Sequence, residues 1–284
     1  MIRLNHLSKS FRRTRVLDDM TLEIASGDRV ALIGSNGAGK TTLIRCILGQ
    51  YSHDGDLSID GKDARKERSA VLGRIGFVPQ LPPPLKMPVG ELIRFAAHIC
   101  KSPAARMEEI GTRLGLDFGE IRRRPFVKLS GGMKQKILIS IAMGRDTSLL
   151  ILDEPTANLD PAARQILFEL LSERIDQSMI ISSHRLEEVS GLVNRVIEMD
   201  RGKVVLDDHV EDGVNIAVRQ SCKVRIGRLE PAFAKAVEEW GFRSSAGGLE
   251  WSGEVAGADR LRFLGMLSRY AGILSAVDLR EGSD

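Results

Sequence analysis

The feature that most constrains this chain is the run Gly34-Ser35-Asn36-Gly37-Ala38-Gly39-Lys40-Thr41. Before it, residues 29–33 read RVALI, apolar and short enough for a buried strand. After it, Thr42-Leu43-Ile44-Arg45 continues as a helix. Strand, glycine-rich loop and helix in that order are the context in which GxxxxGK[ST] cradles phosphate. Glycines let backbone N–H groups turn inward around phosphate oxygens, and the helix adds the positive end of its dipole. In this reading Lys40 bridges β- and γ-phosphates and the Thr41 hydroxyl ligates Mg²⁺.

Two further strand candidates end in residues that complete the chemistry. Residues 148–152 read SLLIL and run into Asp153-Glu154-Pro155. An acidic residue at the carboxyl end of a buried strand stands where open α/β sheets bind ligands. Two carboxylates can divide the work, Asp153 holding the metal and Glu154 polarising the attacking water. Residues 178–183 read SMIISS and end at His184, which would stand at the same sheet edge within reach of a γ-phosphate. Between these lies Leu129-Ser130-Gly131-Gly132-Met133-Lys134-Gln135-Lys136, followed by the apolar ILISIAMGR. Ser130 is expected to cap that helix, and the two glycines expose backbone N–H groups at its start. One nucleotide does not easily touch two phosphate loops about 90 residues apart on one face, so two chains are expected, each presenting this loop to the other's nucleotide.

Bulk properties agree with a soluble nucleotide hydrolase. The 284 residues are 43% hydrophobic and 28% charged, which excludes wholesale disorder. The net charge is +3 with no charged tail, so no nucleic-acid partner is expected. The longest stretch without Asp, Glu, Lys or Arg, residues 75–85, is too short to span a membrane and holds four prolines. The chain opens MIRLNHLSKSF, without an apolar signal core, and its cysteines, Cys46, Cys100 and Cys222, form no metal or disulfide pattern. A reduced cytoplasm is the expected compartment.

Taken together, these motifs resemble the nucleotide-binding subunit of ATP-binding cassette (ABC) transporters over residues 1 to about 210. The resemblance implies an α/β P-loop ATPase with an antiparallel β layer and a helical insertion. GSNGAGKT at 34–41 is similar to the Walker A loop and LLILDEP at 149–155 to Walker B, with Glu154 as general base and Lys40 in the catalytic set. LSGGMKQK at 129–136 is similar to the family signature, in which Ser130, Gly131 and Gly132 act on the partner's nucleotide. Gln80, in GFVPQ, matches the glutamine that senses the γ-phosphate and Mg²⁺ and faces the membrane subunit. Asp160, in Asn158-Leu159-Asp160, matches the loop crossing the dimer interface, and His184 the switch histidine. The family's adenine-stacking aromatic is usually Tyr. Here that position is Phe11, whose ring face still serves for stacking, with Val16 beside it. Met133 stands where many importers carry a polar residue that contacts the ribose in trans. The implied nucleotide set is therefore Phe11, Val16, residues 34–41, Thr42 and Gln80, with Mg²⁺ on Thr41, Gln80 and Asp153. The implied partners are a second copy and a separate permease, with the chain peripheral on the inner face of the cell membrane.

The chain divides into an ATPase part, residues 1–212, and a small accessory part, residues 217–284. Residues 81–145 form the helical insertion, opened by Pro82-Pro83-Pro84 and Pro88 and continuing into a helix over 89–100. Phe95 and Ile99 suit either its core or a permease-facing surface. After residue 217 the pattern reads strand (222–226), helix (229–240), hairpin around Ala246-Gly247-Gly248, a second helix marked by Leu261, Leu264, Met266, Leu267 and Tyr270, and a final strand (273–279). This β-α-β-β-α-β order predicts a ferredoxin-like module. A tail reading VDLREGS resembles exporter-type ATPases of the daunorubicin-resistance and copper-processing branch, and together with the Met133-Lys134-Gln135-Lys136 signature this resemblance favours an exporter or assembly system over an importer. The alternatives are an importer ATPase or a soluble ABC ATPase of the iron–sulfur assembly type.

Overall fold

The computed structural model describes residues 1–209 apart from 175 and 185, residues 219–256, and residues 263–281 apart from 265, 268 and 271. Alternation of apolar and polar residues sets the first layer. β1 (Ile2–Phe11), β2 (Thr14–Ile24) and, after β3 (Arg29–Ile33) and α1 (Lys40–Ile47), β4 (Asp54–Ile59) make an antiparallel sheet in the order β2-β1-β4. Its inward positions, among them Ile2, Leu4, Leu17, Leu22 and Leu57, are buried, as expected for a sheet with one face on the core. β4 begins at Asp54, which pairs with Ser8.

Next come α2 (Arg68–Leu72), β5 (Ile75–Val78), α3 (Val89–Cys100), α4 (Ala104–Arg113), α5 (Phe118–Ile121) and α6 (Gly131–Met143). β6 (Leu149–Asp153), α7 (Pro161–Ser172), β7 (Ser178–Ser183), β8 (Arg195–Asp200) and β9 (Lys203–His209) follow. The central sheet has the order β5-β6-β7-β3-β8-β9, parallel except for β9. Every residue of β3, β6 and β7 is buried, which explains why β3 and β6 read as apolar runs rather than alternating ones, while β7 carries Ser178, Ser182 and Ser183 in the same buried setting. Their odd and even positions serve two cores. Val30, Leu32, Leu149 and Ile151 pack with α1 and the antiparallel layer. Ala31, Ile33, Leu150 and Leu152 pack with Leu167, Leu170 and Leu171 of α7. Each such side chain contributes about 1.5–3 kcal/mol when fully buried.

Register brings the strand ends together. Ile33 stands opposite Ser183 and Asp153 opposite Ser182, so the loop after β3, the carboxylates after β6 and His184 after β7 share one edge of the sheet. That edge is the carboxyl edge expected to bind ligand.

The insertion has a core of its own, built from Val89, Leu92, Ile93, Met107, Phe118, Ile121, Phe126 and Ile137 among others. Phe95 and Ile99 are not in it: they are 54% and 61% exposed on α3. Arg122, Arg123 and Arg124 are exposed, as a solvated run should be, and Arg122 pairs with Glu108 at 2.7 Å.

Residues 219–281 build a third sheet from β10 (Arg219–Ile226), β11 (Arg243–Ser245), β12 (Glu250–Ala256) and β13 (Leu274–Glu281), with α8 (Pro231–Glu238) after β10. The order is β11-β12-β10-β13 with every neighbour antiparallel, the arrangement of two interleaved β-α-β units. Phe233, Val237, Phe242, Trp251 and Phe263 fill its core. Residues 263–264 and 266–267 are helical, while Leu261 and the expected boundary between 212 and 217 lie outside the described residues. The strands at both ends run longer than predicted because β10 pairs with β12 and β13 along its whole length.

Among the described residues, no helix is long and apolar enough to cross a membrane. All three cysteines are free, and burial pushes the thiols of Cys46 and Cys222 up to about 11.

Candidate active site

The loop after β3 turns on left-handed backbone at Gly34, Gly37 and Gly39, with φ of 147°, 86° and 107°. A Cβ at Gly34 would drive into the Met199 carbonyl, so glycine there is a steric requirement. Gly39 caps α1, whose first residue is Lys40. The Lys40 side chain folds back over the loop and donates to the carbonyls of Gly34 at 2.5 Å and Ser35 at 3.3 Å. Burial pulls the Lys40 ammonium below its ordinary range, and the Glu154 and Asp153 carboxylates partly restore it.

A cavity of about 210 Å³ opens here, lined by Val16, residues 35–42, Gln80 and Glu154. Ser35, Asn36, Gly37, Ala38, Gly39, Lys40, Thr41 and Thr42 are thus brought together with Val16 and Gln80. Gly34 supplies its carbonyl to Lys40 from behind this wall. Phe11 is not on the wall: its ring stands edge-on to Tyr51, centroids 5.2 Å apart.

Glu154 stands at the centre of the site. It follows β6 with φ of 48°, a left-handed conformation costly for a side chain other than Gly, Asn or Asp and concentrated at functional positions. Gln80 donates its amide to Glu154 Oε2 at 2.8 Å, and His184 Nε2 lies 2.6 Å from Oε1. The carboxylate is therefore aimed between two side chains from separate strand ends. A second cavity of about 170 Å³ adjoins it on the far side, lined by Glu154, Thr156, Ala157, Arg164, Ser182, Ser183, His184 and Glu188.

Sequence reasoning passed over Ser182. Its hydroxyl donates to Asp153 Oδ1 at 2.7 Å and accepts from the Glu154 N–H at 2.9 Å. One side chain thus fixes both carboxylate-bearing residues. The signal was present as a polar residue inside a wholly buried strand. Ser182→Ala removes this brace without changing volume much. We expect turnover to fall about tenfold through misplacement of Glu154, with the melting temperature little changed. A steady-state rate equal to wild type would show that the brace is dispensable.

Ser130, Gly131 and Gly132 line neither cavity. Ser130 caps α6 by accepting from Met133 N–H at 3.2 Å, and Gly132 lies against the Asn158 carbonyl. Gln135, fully buried, reaches the Pro155 carbonyl at 3.4 Å. Asp160 caps α7 through Ala163 N–H at 2.8 Å and pairs with Lys136 at 2.9 Å. Those two contacts hold its carboxyl below the usual range, the backbone bond first. Asp160 is therefore engaged within its own chain.

The donor set fits a hard divalent cation: a hydroxyl at Thr41, a carboxylate at Asp153, and the Gln80 carbonyl oxygen, left available because the amide N–H faces Glu154. Lys40, the inward loop and α1 fit polyphosphate.

A family model described as "ABC transporter" matches residues 17–157. The chain is 36% identical over 207 residues to the energy-coupling factor transporter ATP-binding protein EcfA2 of Clostridium tetani, covering 68% of this chain and 72% of that one. It is 34% identical to the sulfate/thiosulfate import ATP-binding protein CysA of Yersinia pseudotuberculosis, covering 72% of this chain and 59% of that one. With the Nod factor export ATP-binding protein I of Sinorhizobium fredii the identity is 31%, covering 72% and 62%. A solved ATP-binding subunit of an ABC transporter superposes with a TM-score of 0.67 at 28% identity, covering 74% of this chain and 90% of that one.

Proposed function

Because this chain belongs to the ATP-binding proteins of the ABC transporter family, we propose that two copies of it close on two ATP molecules and drive a separate membrane permease. The observation that carries this reading is the arrangement at Glu154: a carboxylate on strained backbone, held by Gln80 and His184 at the mouth of a phosphate-sized, lysine-bearing loop.

In this reading Glu154 takes a proton from the attacking water. His184 and Gln80 orient it, and Lys40 with the loop N–H groups of residues 35–42 stabilises charge on the transferred phosphoryl group. Thr41, Gln80 and Asp153 would hold Mg²⁺, which neutralises phosphate charge when bound. Ser130, Gly131 and Gly132 stand outside both cavities of their own chain, which supports their use on the nucleotide of a second copy, with Asp160 at the boundary between copies.

The insertion suits contact with the permease. Residues 81–145 hold twelve Lys and Arg against five Asp and Glu, and Phe95 and Ile99 expose an apolar stripe on α3 one turn apart. Exposed apolar groups amid charge mark interaction sites. We further read residues 1–212 as the ATPase domain and residues 217–284 as a distinct accessory domain. In this reading the chain works peripherally on the inner face of the cell membrane. The preference for export or assembly rests on the VDLREGS tail together with the Met133-Lys134-Gln135-Lys136 signature.

Purifying tagged Glu154→Gln protein from its native membranes in Mg-ATP tests this directly. Co-purification of a polytopic membrane protein is expected, and the fold of that partner separates exporter from importer. A soluble partner in its place would move the reading to an ABC machine of the iron–sulfur assembly type.

A further inference from the structure

Phe11 lacks the hydroxyl that would tether a tyrosine, and it ends β1 with 40% of its surface exposed. It pairs with Thr14 across the β1–β2 turn. Cross-strand partners share a face, and so do residues two apart on a strand. The register shift between Ser10–Arg15 and Lys9–Leu17 breaks that alternation and makes Val16 the extra residue of a bulge, so Phe11 ends its strand next to the bulge that carries Val16, a wall residue of the nucleotide cavity. A ring in that place serves as a stacking platform only if it is ordered before the base arrives, since ordering it on binding subtracts from affinity.

Three side chains order it. Tyr51 meets the ring edge to face, with centroids 5.2 Å apart and planes at 81°. Lys9 holds its ammonium 4.8 Å from the Phe11 centroid and 5.8 Å from that of Tyr51, and donates to Ser52 Oγ at 3.3 Å. Arg45 donates to the Tyr51 hydroxyl at 2.5 Å. Arg45 belongs to α1, the helix that begins at Lys40 and Thr41. The aromatic pair and the phosphate loop thus share one support. Tyr51 gives no hint of this in the sequence, where it sits 40 residues from Phe11 in a polar turn.

We propose that Tyr51, anchored by Arg45, is a positioning residue that fixes the Phe11 ring for the purine base of the bound nucleotide. The proposal rests on the reading of Phe11 as the base-stacking residue. An edge-to-face pair and a cation over the ring are the contacts that replace the missing hydroxyl tether.

The test compares dissociation constants for ATP and for inorganic tripolyphosphate, which has no base, in wild type, Phe11→Ala, Tyr51→Leu and Tyr51→Phe. Tyr51→Leu is expected to weaken ATP about five- to tenfold while tripolyphosphate stays within about twofold. The rate at saturating ATP should hold. Tyr51→Phe keeps the ring edge but loses the bond from Arg45, and should recover only part of the ATP affinity. Equal loss of both ligands in Tyr51→Leu would overturn the proposal, because a general structural role does not distinguish them. Selective ATP loss in Phe11→Ala but not in Tyr51→Leu would overturn it while leaving the stacking role of Phe11 intact. If Phe11→Ala itself leaves the ratio of the two constants unchanged, the stacking reading fails, and the proposal with it.

Discussion

Glu154→Gln is expected to lower steady-state ATP turnover by about 10²- to 10⁴-fold, the range for removing a general base, while ATP still binds. The geometry makes this substitution informative. Glu154 accepts from Gln80 through one oxygen and lies against His184 through the other. A glutamine keeps the shape and one acceptor oxygen, so the main loss is basicity. The backbone at 154 keeps its left-handed φ of 48° and its bond to Ser182, so the site is not expected to collapse. Rapid-quench measurement of ATP cleavage, with binding followed separately, checks it. Turnover near the wild-type rate would remove Glu154 from the role of base and leave His184 as the titratable neighbour to examine.

The second large effect is expected at Lys40. Among the described residues its ammonium is the one side-chain cation on the wall of the 210 Å³ cavity, and it donates to the Gly34 and Ser35 carbonyls. Lys40→Ala therefore removes charge-assisted bonds to two phosphates. Each is worth about 1.5–3 kcal/mol, so ATP affinity should fall by about 10²-fold or more. Titration with a fluorescent ATP analogue measures it. Because Lys40 bonds only within its own loop, the melting temperature should change little, and a large drop in stability together with retained affinity would contradict this account.

Much of the site was legible because its chemistry is local. GSNGAGKT encodes its own geometry: three glycines sit where φ is positive, and the cap, the lysine and the hydroxyl follow within three residues. Strands β3 and β6 were readable as apolar runs because they are covered on both faces. The convergence of their ends with that of β7 follows from parallel topology, which is why Glu154 and His184 could be paired from positions 30 residues apart.

What escaped the sequence depends on tertiary packing. Ser182 looks like any strand serine until parallel register sets it beside Asp153. Tyr51 is joined to Phe11 only once β4 and the preceding turn fold back against β1. The place of Phe95 and Ile99 was open because a helix of this pattern can bury either of two faces. Packing chose Val89, Leu92, Ile93 and Ala97, leaving the other stripe outward. Asp160, expected at a dimer boundary, is also an N-cap with its own lysine partner, a local role that the motif alone does not reveal.

In the proposed function ATP joins two copies through Ser130, Gly131 and Gly132, which line neither cavity of their own chain. Light scattering of the Glu154→Gln protein with and without Mg-ATP measures this most directly. A doubling from the 31.2 kDa of one chain is expected, one that requires ATP and is lost when Lys40→Ala is added. A mass that stays at one chain under saturating ATP, or that doubles equally in the Lys40→Ala background, would contradict it.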